Sequence, residues 1–259
     1  MVINCSSMLW DFGFYQVNLF GFVIAISFLV MLSVMFSEKK SKFFGRWFLY
    51  EIMLETSALG FIGARILFAL EHYLTTGQVF SFFDLMAISE GGGSVTGALL
   101  FALPYLFFRT INAGFYVLEL ADFLAPKISL FYALSRIGCL LVGCCHGFAM
   151  KTPLWFSVVY LQSPFATNNV AYFPAQALVA IASFCSFLFL NYFLSYRVAK
   201  IGIIAASFFV IEGFMRFLME FMRPDVIYVF IGLTLVQCIC LLIIFFGVLI
   251  MLYANKKFI

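Results

Sequence analysis

The sequence predicts an all-α integral membrane protein with about seven transmembrane helices. Of its 259 residues, 65% are hydrophobic and 10% are charged, a composition far outside the range of soluble domains. No hydrophilic block in the sequence is large enough for a separate soluble domain. Residues 1–259 are therefore expected to form a single polytopic membrane domain. Seven apolar stretches are each long enough to cross a bilayer: 17–36, 47–70, 92–108, 114–145, 174–195, 201–221 and 227–253.

Basic residues between these stretches predict the orientation. Nine of them follow the first, third, fifth and seventh stretches, whereas Lys151 and Arg223 lie on the opposite side. The positive-inside rule then places the N-terminus outside and the C-terminus in the cytoplasm. The net charge of +3 follows from this topology and from contact with anionic headgroups, so no nucleic-acid partner is expected. The nine residues are Lys39, Lys40, Lys42, Arg46, Arg109, Arg197, Lys200, Lys256 and Lys257.

Arg136 is the most informative of the charged residues in apolar surroundings. Others are Arg65, Glu212 and Arg216. An arginine at bilayer depth costs a few kcal/mol or more and needs a partner. In a membrane the commonest anionic partner is a lipid phosphate. Arg65 has two interpretations of equal weight, a ligand contact or a side chain that reaches out to the membrane surface.

The sixth stretch carries a row of alternating charges. Glu212, Arg216, Glu220 and Arg223 fall within about 80° of arc on one helical face. For Glu220 and Arg223, which lie near the membrane surface, an internal salt ladder is the expected arrangement. For Arg216 we favour a ligand contact, because a ladder alone does not explain ionised groups at this depth.

Cysteine and histidine cluster near the outer end of the fourth stretch, at Cys139, Cys144, Cys145 and His146. The C-x4-C-C-H pattern raises the alternative of a metal site, but the usual paired C-x2-C spacing is absent. We therefore expect no metal and no cofactor. Small residues recur here every four positions, as in packed membrane helices. They are Ser135, Cys139, Gly143 and Gly147.

Helical spacing orders this cluster around Arg136. At about 100° per residue, Cys139 and Gly143 share its face. His146 lies about 80° to one side, provided that the helix continues to Gly147. A further segment, Glu90 to Gly97, exposes backbone N–H groups before a predicted helix start, which favours an anion.

The ordered motifs resemble the prolipoprotein diacylglyceryl transferases of bacterial cytoplasmic membranes. The G-A-R-I segment at 63–66 is similar to the family's G-x-R-x. R-I-G at 136–138, with glycines at 143 and 147, resembles its G-R-x-G motif. Further similar blocks lie at 92–97 (G-G-S-V-T-G), 122–126 (D-F-L-A-P), 174–176 (P-A-Q), 216–225 (R-F-L-M-E-F-M-R-P-D), and at Thr234 and Gln237.

The resemblance implies transfer of diacylglycerol from phosphatidylglycerol to the cysteine thiol of a secreted lipoprotein precursor, in the bacterial inner membrane. It implies that Arg136 and Arg216 are the two essential arginines, which hold the phosphodiester and stabilise the departing phosphate. The expected lipid- and substrate-binding residues are Arg65, Gly92, Gly93, Ser94, Thr96, Gly97, Cys139, Gly143, Gln176, Glu220 and Gln237.

Departures from the family's motifs leave the function open to an alternative. Thr96 falls where the family has a loop histidine, Cys139 where it has an asparagine, and Glu212 where it has a tyrosine. If the protein is an enzyme, His146 or Glu212 is expected to replace the histidine as the base. The alternative is a phospholipid-binding paralogue that is non-catalytic or has another acceptor. A thiol oxidoreductase using Cys144 and Cys145 is disfavoured, because quinone-linked enzymes normally carry C-x-x-C pairs.

Overall fold

The computed structural model describes most of the chain as helices. The described residues are 2–3, 8–11, 16–76, 93–163, 165–197, 200–223, 228–230 and 232–257. Gly92, one of the expected lipid contacts, lies outside them, as do Pro224 and Asp225 of the motif that follows Arg216.

Long helices occupy the positions of the seven apolar stretches. The helix of the fourth apolar stretch ends at Val142, three residues before the predicted boundary at residue 145. The helix of the fifth stretch changes to a π-helix at Phe189–Leu194. The helices are α1 (Leu19–Ser37), α2 (Ser41–Phe44), α3 (Arg46–Thr76), α4 (Val95–Asn112), α5 (Val117–Val142), α6 (Ala175–Leu188), α7 (Ser195–Arg197), α8 (Ile203–Glu220) and α9 (Leu235–Lys257).

Four described helical segments are long and apolar enough to cross a membrane: Leu19–Ser37, Arg46–Leu74, Ala175–Arg197 and Leu235–Ala254. Large apolar side chains such as Leu29, Trp47, Tyr192 and Phe246 stay exposed on them. Such exposure is what lipid contact requires, since hydrocarbon does not penalise an outward apolar side chain. The chain is thus a helical membrane protein with several apolar helices, and the full seven-span topology stays a prediction.

Short strands accompany the helices, which the all-α prediction omitted. The strands are β1 (Val2–Ile3), β2 (Met8–Asp11), β3 (Gln16–Asn18), β4 (Val158–Tyr160), β5 (Ala171–Tyr172), β6 (Tyr228–Phe230) and β7 (Leu233–Thr234). β4 pairs in parallel with β1 and antiparallel with β5. β2 pairs with β3, and β6 pairs with β7. The β1–β4–β5 sheet carries its own small core, in which Tyr160 is fully buried.

The helices and strands group into two compact units. The first unit contains Met1–Met35 and Ala121–Ile259, and the second contains Phe36–Leu120. In the second unit, α3 and α4 approach closely at Gly63 and Gly97. A Cβ added at Gly97 would lie 2.3 Å from the Gly63 carbonyl oxygen, so this crossing depends on glycine at both positions.

The first unit is joined internally by carboxylates that bond across helices. Asp122 of α5 accepts hydrogen bonds from the backbone N–H groups of Gly202 and Ala205, the latter at 2.7 Å. These donors belong to the first turn of α8, whose N–H groups lack intrahelical partners and favour an anion. Asp122 thereby positions the N-terminus of the helix that carries Arg216.

Candidate active site

Arg136 lies near the end of α5 with neutral groups around it. Its Nη2 donates a hydrogen bond to the Tyr132 hydroxyl, one turn earlier. The guanidinium also lies over the Tyr132 ring, 4.5 Å from the centroid. Its Nη1 is 3.9 Å from the Cys139 Sγ. Tyr132 and Cys139 therefore hold the side chain in place without neutralising its charge.

The charge of Arg136 has no counter-ion among the described residues. No carboxylate of this part of the chain lies within ion-pair distance, and the Nε atom is buried without a hydrogen-bond partner there. A half-buried guanidinium with an unused donor is costly unless an anion completes it. Arg136 thus keeps an uncompensated charge and an unused Nε donor among the residues that the structure describes.

A second cationic group lies at the end of α8. Arg216 Nη2 is 3.1 Å from Glu220 Oε2, and Arg223 Nη1 is 3.9 Å from the same oxygen. Glu220 is buried, yet this oxygen accepts no hydrogen bond from the described residues. The expected salt ladder is confirmed at Glu220 and Arg223, and it includes Arg216 as well. Two arginines share one carboxylate, so the group keeps a net positive charge.

Cys144 and Cys145 follow the end of α5, and Cys145 is exposed. Hydrogen bonds from Cys139 and Cys144 lower the pKa of the Cys145 thiol, and the positive charges of Arg136 and Arg223 lower it further. The charges of Arg136 and Arg223 therefore both favour the thiolate form of Cys145, whereas burial opposes it.

A tight turn ends α5, in the segment that follows Arg136. The carbonyl of Cys139 accepts hydrogen bonds from the N–H groups of Gly143 at 2.9 Å and Cys144 at 3.2 Å. Gly143 has φ +82° and Cys145 has φ +57°, the left-handed conformation that commonly ends helices. A side chain at Gly143 would also meet the Ser163 Oγ at 2.6 Å. The predicted lipid contacts Cys139 and Gly143 thus build the turn.

His146 lies beyond this turn, so the helical spacing that related it to the Arg136 face does not apply. The prediction required the helix to reach Gly147, but α5 ends at Val142. The His146 Nδ1 is 2.9 Å from the Gly147 carbonyl oxygen, and its Nε2 is 3.4 Å from that of Phe165. Its ring also packs on Tyr172.

Glu212 bonds to hydroxyls of two neighbouring helices. Its carboxylate accepts hydrogen bonds from Ser129 of α5 at 2.9 Å and from Ser183 of α6 at 3.0 Å. Arg216, by contrast, pairs with Glu220. Glu212 therefore ties α5, α6 and α8 together, a role that its spacing to Arg216 alone did not indicate.

The two buried glutamines, Gln176 and Gln237, form hydrogen bonds in different places. The Gln176 Nε2 donates to the Cys144 carbonyl at 2.7 Å and to the Tyr160 hydroxyl at 3.3 Å, which fixes the turn beside Arg136. The Gln237 Oε1 accepts from the Thr234 N–H at 3.0 Å, and Thr234 Oγ1 accepts from the Gln237 N–H at 3.1 Å. This reciprocal pair is a capping box at the start of α9.

The remaining expected lipid contacts belong to the second unit. Arg65 is 8% exposed and lies 5.7 Å from the Phe61 ring centroid, so it does not extend outward. Gly97 lies at the α3–α4 crossing. Ser94 is buried and its N–H donates to the Ala64 carbonyl at 3.0 Å. Gly93 and Thr96 are exposed.

Sequence reasoning missed two residues that shape the site. Tyr132 supports Arg136 through both its ring and its hydroxyl, and the i, i+4 spacing of the two was a readable signal. Ser163 donates to the Val142 carbonyl at 2.8 Å and closes the turn. Ser163 is distant in sequence and no local pattern indicates this contact.

Apolar helices that carry half-buried arginines define the class, a helical membrane protein. The model of the prolipoprotein diacylglyceryl transferase family matches residues 7–253, and the chain belongs to this family. It is similar to enzymes named phosphatidylglycerol–prolipoprotein diacylglyceryl transferase. The Clostridium tetani enzyme is 24% identical over 83% of this chain and 84% of its own. Enzyme 2 of Clostridium perfringens is 27% identical over 80% and 78%. The Dehalococcoides mccartyi (strain 195) enzyme is 26% identical over 98% and 96%.

Proposed function

We propose that this protein transfers diacylglycerol from phosphatidylglycerol to the cysteine thiol of a secreted lipoprotein precursor. The observation that carries the proposal is Arg136, a half-buried cation with neutral partners and an unused Nε donor among the described residues. A lipid phosphodiester supplies the missing negative charge and accepts from the guanidinium at more than one oxygen. Family membership supplies the reaction class.

In the proposed reaction the two cationic groups act on one phosphate. The acceptor thiolate forms a carbon–sulfur bond to the glycerol carbon of the diacylglycerol. The bond from that carbon to the phosphate oxygen breaks, and its electron pair leaves with glycerol phosphate. Arg136 and Arg216 stabilise the charge on the departing phosphate. Arg216 can turn from Glu220 to the phosphate because their 3.1 Å contact lacks hydrogen-bond geometry.

We assign His146 as the base that takes the proton from the thiol of the acceptor cysteine. If Nδ1–H donates to the Gly147 carbonyl at 2.9 Å, Nε2 carries the free lone pair. On taking a proton, Nε2 becomes a donor that faces the Phe165 carbonyl at 3.4 Å. Glu212 is the second candidate, but its oxygens already accept from Ser129 and Ser183.

The remaining expectations complete the proposal. The chain crosses the bacterial cytoplasmic membrane seven times, with its N-terminus outside. Within the second unit, Arg65, Gly93, Ser94, Thr96 and Gly97 are proposed lipid contacts, and Gly92 is proposed with them.

A transfer assay tests the function directly. Purified protein is mixed with phosphatidylglycerol labelled in its acyl chains and a peptide that carries a lipobox cysteine. The expected product is a thioether-linked, labelled peptide together with free glycerol phosphate. A peptide with serine in place of the cysteine is the matched acceptor control and should stay unlabelled.

Two outcomes would overturn the proposal. Protein that binds phosphatidylglycerol but labels no cysteine peptide would instead be the non-catalytic paralogue. Release of glycerol phosphate without labelled peptide would indicate a lipid hydrolase. If His146 is the base, His146→Gln should lower the rate most at pH values where the acceptor thiol is still protonated. Glu212→Gln should leave the pH dependence of the rate unchanged. Unchanged rates and pH profiles in His146→Gln would remove it from the mechanism.

A further inference from the structure

Three cysteine thiols converge at the end of α5, in a group that the proposed transfer reaction does not use. The Sγ atoms of Cys139, Cys144 and Cys145 all lie within 4.8 Å of one another. Cys139 is buried, Cys144 is half-buried and Cys145 is exposed, and all three are free thiols. A tetrahedral ion with metal–sulfur bonds of about 2.3 Å places its sulfur ligands roughly 3.8 Å apart. The thiols therefore need to close by only about 1 Å to hold such an ion.

The turn that gathers the thiols is fixed by contacts outside the cluster. The Gln176 Nε2 donates to the Cys144 carbonyl at 2.7 Å, and Gln176 is buried. The Ser163 Oγ donates to the Val142 carbonyl at 2.8 Å. Such supporting bonds hold ligands in place before the ion arrives and reduce the entropy lost on binding.

The charge around the thiols suits a metal–thiolate group. Three thiolates and one divalent ion carry a net charge of −1. The Arg136 Nη1 lies 3.9 Å from the Cys139 Sγ, so a guanidinium donor lies beside the thiolates and favours their ionised form without being consumed by the metal. A packing role alone would account for buried Cys139, but it does not account for two adjacent thiols that turn back onto it, one of them exposed.

We propose that Cys139, Cys144 and Cys145 bind a thiophilic metal ion of the zinc class through three thiolates. Sulfur ligands select zinc and related soft ions over magnesium or calcium. Three protein ligands leave a fourth position for water or another external ligand, on the side of exposed Cys145. His146 is not one of the ligands, since its ring nitrogens face the carbonyls of Gly147 and Phe165.

Metal binding by the full-length protein in detergent tests this site. The protein is purified under reducing conditions and titrated with Cd²⁺, whose thiolate complexes give an ultraviolet charge-transfer band, and with Zn²⁺ in competition. We expect one ion per chain, and three fewer alkylatable thiols when Zn²⁺ is present. Cys139→Ser, Cys144→Ser and Cys145→Ser should each weaken binding by about 100-fold or more.

Cys185→Ser is the matched control, because Cys185 is a free, exposed thiol of α6 and should leave binding unchanged. Thiol protection in the wild-type chain, read by mass spectrometry, keeps the test valid even if a serine variant fails to fold. Absence of stoichiometric Cd²⁺ and Zn²⁺ binding would overturn the proposal, as would full binding by Cys139→Ser. A disulfide between Cys144 and Cys145 in the reduced preparation would overturn it too. None of these readings depends on lipid transfer, so the site stands or fails independently of the proposed function.

Discussion

Arg109 and Arg136 are both helical arginines of an apolar protein, yet their surroundings differ. Arg109 of the second unit pairs with Glu51 at 3.2 Å and Glu55 at 3.5 Å, and it lies over the Phe48 ring. Arg136 of the first unit touches a phenol and a thiol. Arg109 is neutralised by its own unit, whereas Arg136 has no counter-ion among the described residues.

Under the proposed function, Arg109 carries a structural charge and Arg136 a functional one. An arginine that pairs with two carboxylates, as Arg109 does, is fully neutralised and gains little from an external anion. A half-buried arginine held by neutral groups keeps its full charge in a medium that screens it weakly, so a ligand anion gains most there. Substitution of Arg109 should therefore affect mainly stability, whereas substitution of Arg136 should affect ligand binding and turnover.

The largest effect is expected for Arg136→Ala. Removal of a donor that stabilises developing charge lowers turnover by about 100- to 1,000-fold. Arg136→Lys should restore little, because a single ammonium cannot make the two-pronged contact. The labelled-lipid assay measures both. Arg197→Ala removes an exposed arginine that lies over Phe193 and serves as the control. An equal loss of turnover in Arg197→Ala would contradict a specific role for Arg136.

The next largest effect is expected for Gly97→Ala in the second unit. The new Cβ would lie 2.3 Å from the Gly63 carbonyl oxygen and 2.7 Å from the Leu67 Cβ. Overpacking of this kind costs about 3 kcal/mol, which should appear as a lower thermal unfolding temperature. Gly21→Ala in α1 is the matched control, since a Cβ there has nothing within 4 Å and alanine is the better helix former. Equal melting temperatures for the two variants would refute the close crossing.

A smaller effect is expected for Gln176→Ala, which tests the support of the Arg136 site. The variant loses the bonds to the Cys144 carbonyl and the Tyr160 hydroxyl. Loss of these buried bonds costs about 2 kcal/mol, and the freed turn should also lower turnover. Thermal unfolding and the transfer assay are measured together, with exposed Gln162→Ala as the control. A stable, fully active Gln176→Ala would show that the turn needs no such anchor.

The smallest effect is expected for Arg109→Ala. The Arg109 and Glu51 side chains are 31% and 35% exposed, and such partly exposed pairs contribute about 0.5 kcal/mol. The melting temperature should fall slightly while turnover per folded molecule stays unchanged. A loss of turnover that matches Arg136→Ala would place Arg109 in the reaction and remove the contrast between the units.

Helix positions could be predicted from the sequence because hydropathy over a span is a local property. The end of α5 was harder to predict from the sequence. Gly143 is a recognisable helix stop, but four small residues at helical spacing favoured continuation, so the condition for relating His146 to Arg136 by helical spacing was not met. The Thr234–Gln237 capping box was readable from its T-x-x-Q spacing, yet the family resemblance implied a lipid- or substrate-binding role for Gln237.

The arginines were predictable, and so were the partners one helical turn away, but partners distant in sequence were not. An arginine in an apolar stretch implies a free-energy cost of burying its charge, so Arg136 and Arg216 can be recognised from the sequence alone. Whether such a charge is paired depends on residues far away in sequence. Arg109 lies 58 residues from Glu51, and Glu212 lies 83 residues from Ser129. No local pattern carries that information, which is why Glu212 was expected beside Arg216 and bonds to serines instead.

The affinity for a phosphodiester lipid tests the central claim most directly. Detergent-solubilised wild type, Arg136→Ala and Arg109→Ala are titrated with a non-cleavable phosphonate analogue of phosphatidylglycerol, and binding is followed by calorimetry. A charge-assisted hydrogen bond contributes about 1.5–3 kcal/mol, so Arg136→Ala should bind roughly 10- to 100-fold more weakly. Arg109→Ala should bind as the wild type does. Equal affinities for wild type and Arg136→Ala would contradict the assignment of Arg136 as the cation that holds the lipid phosphate.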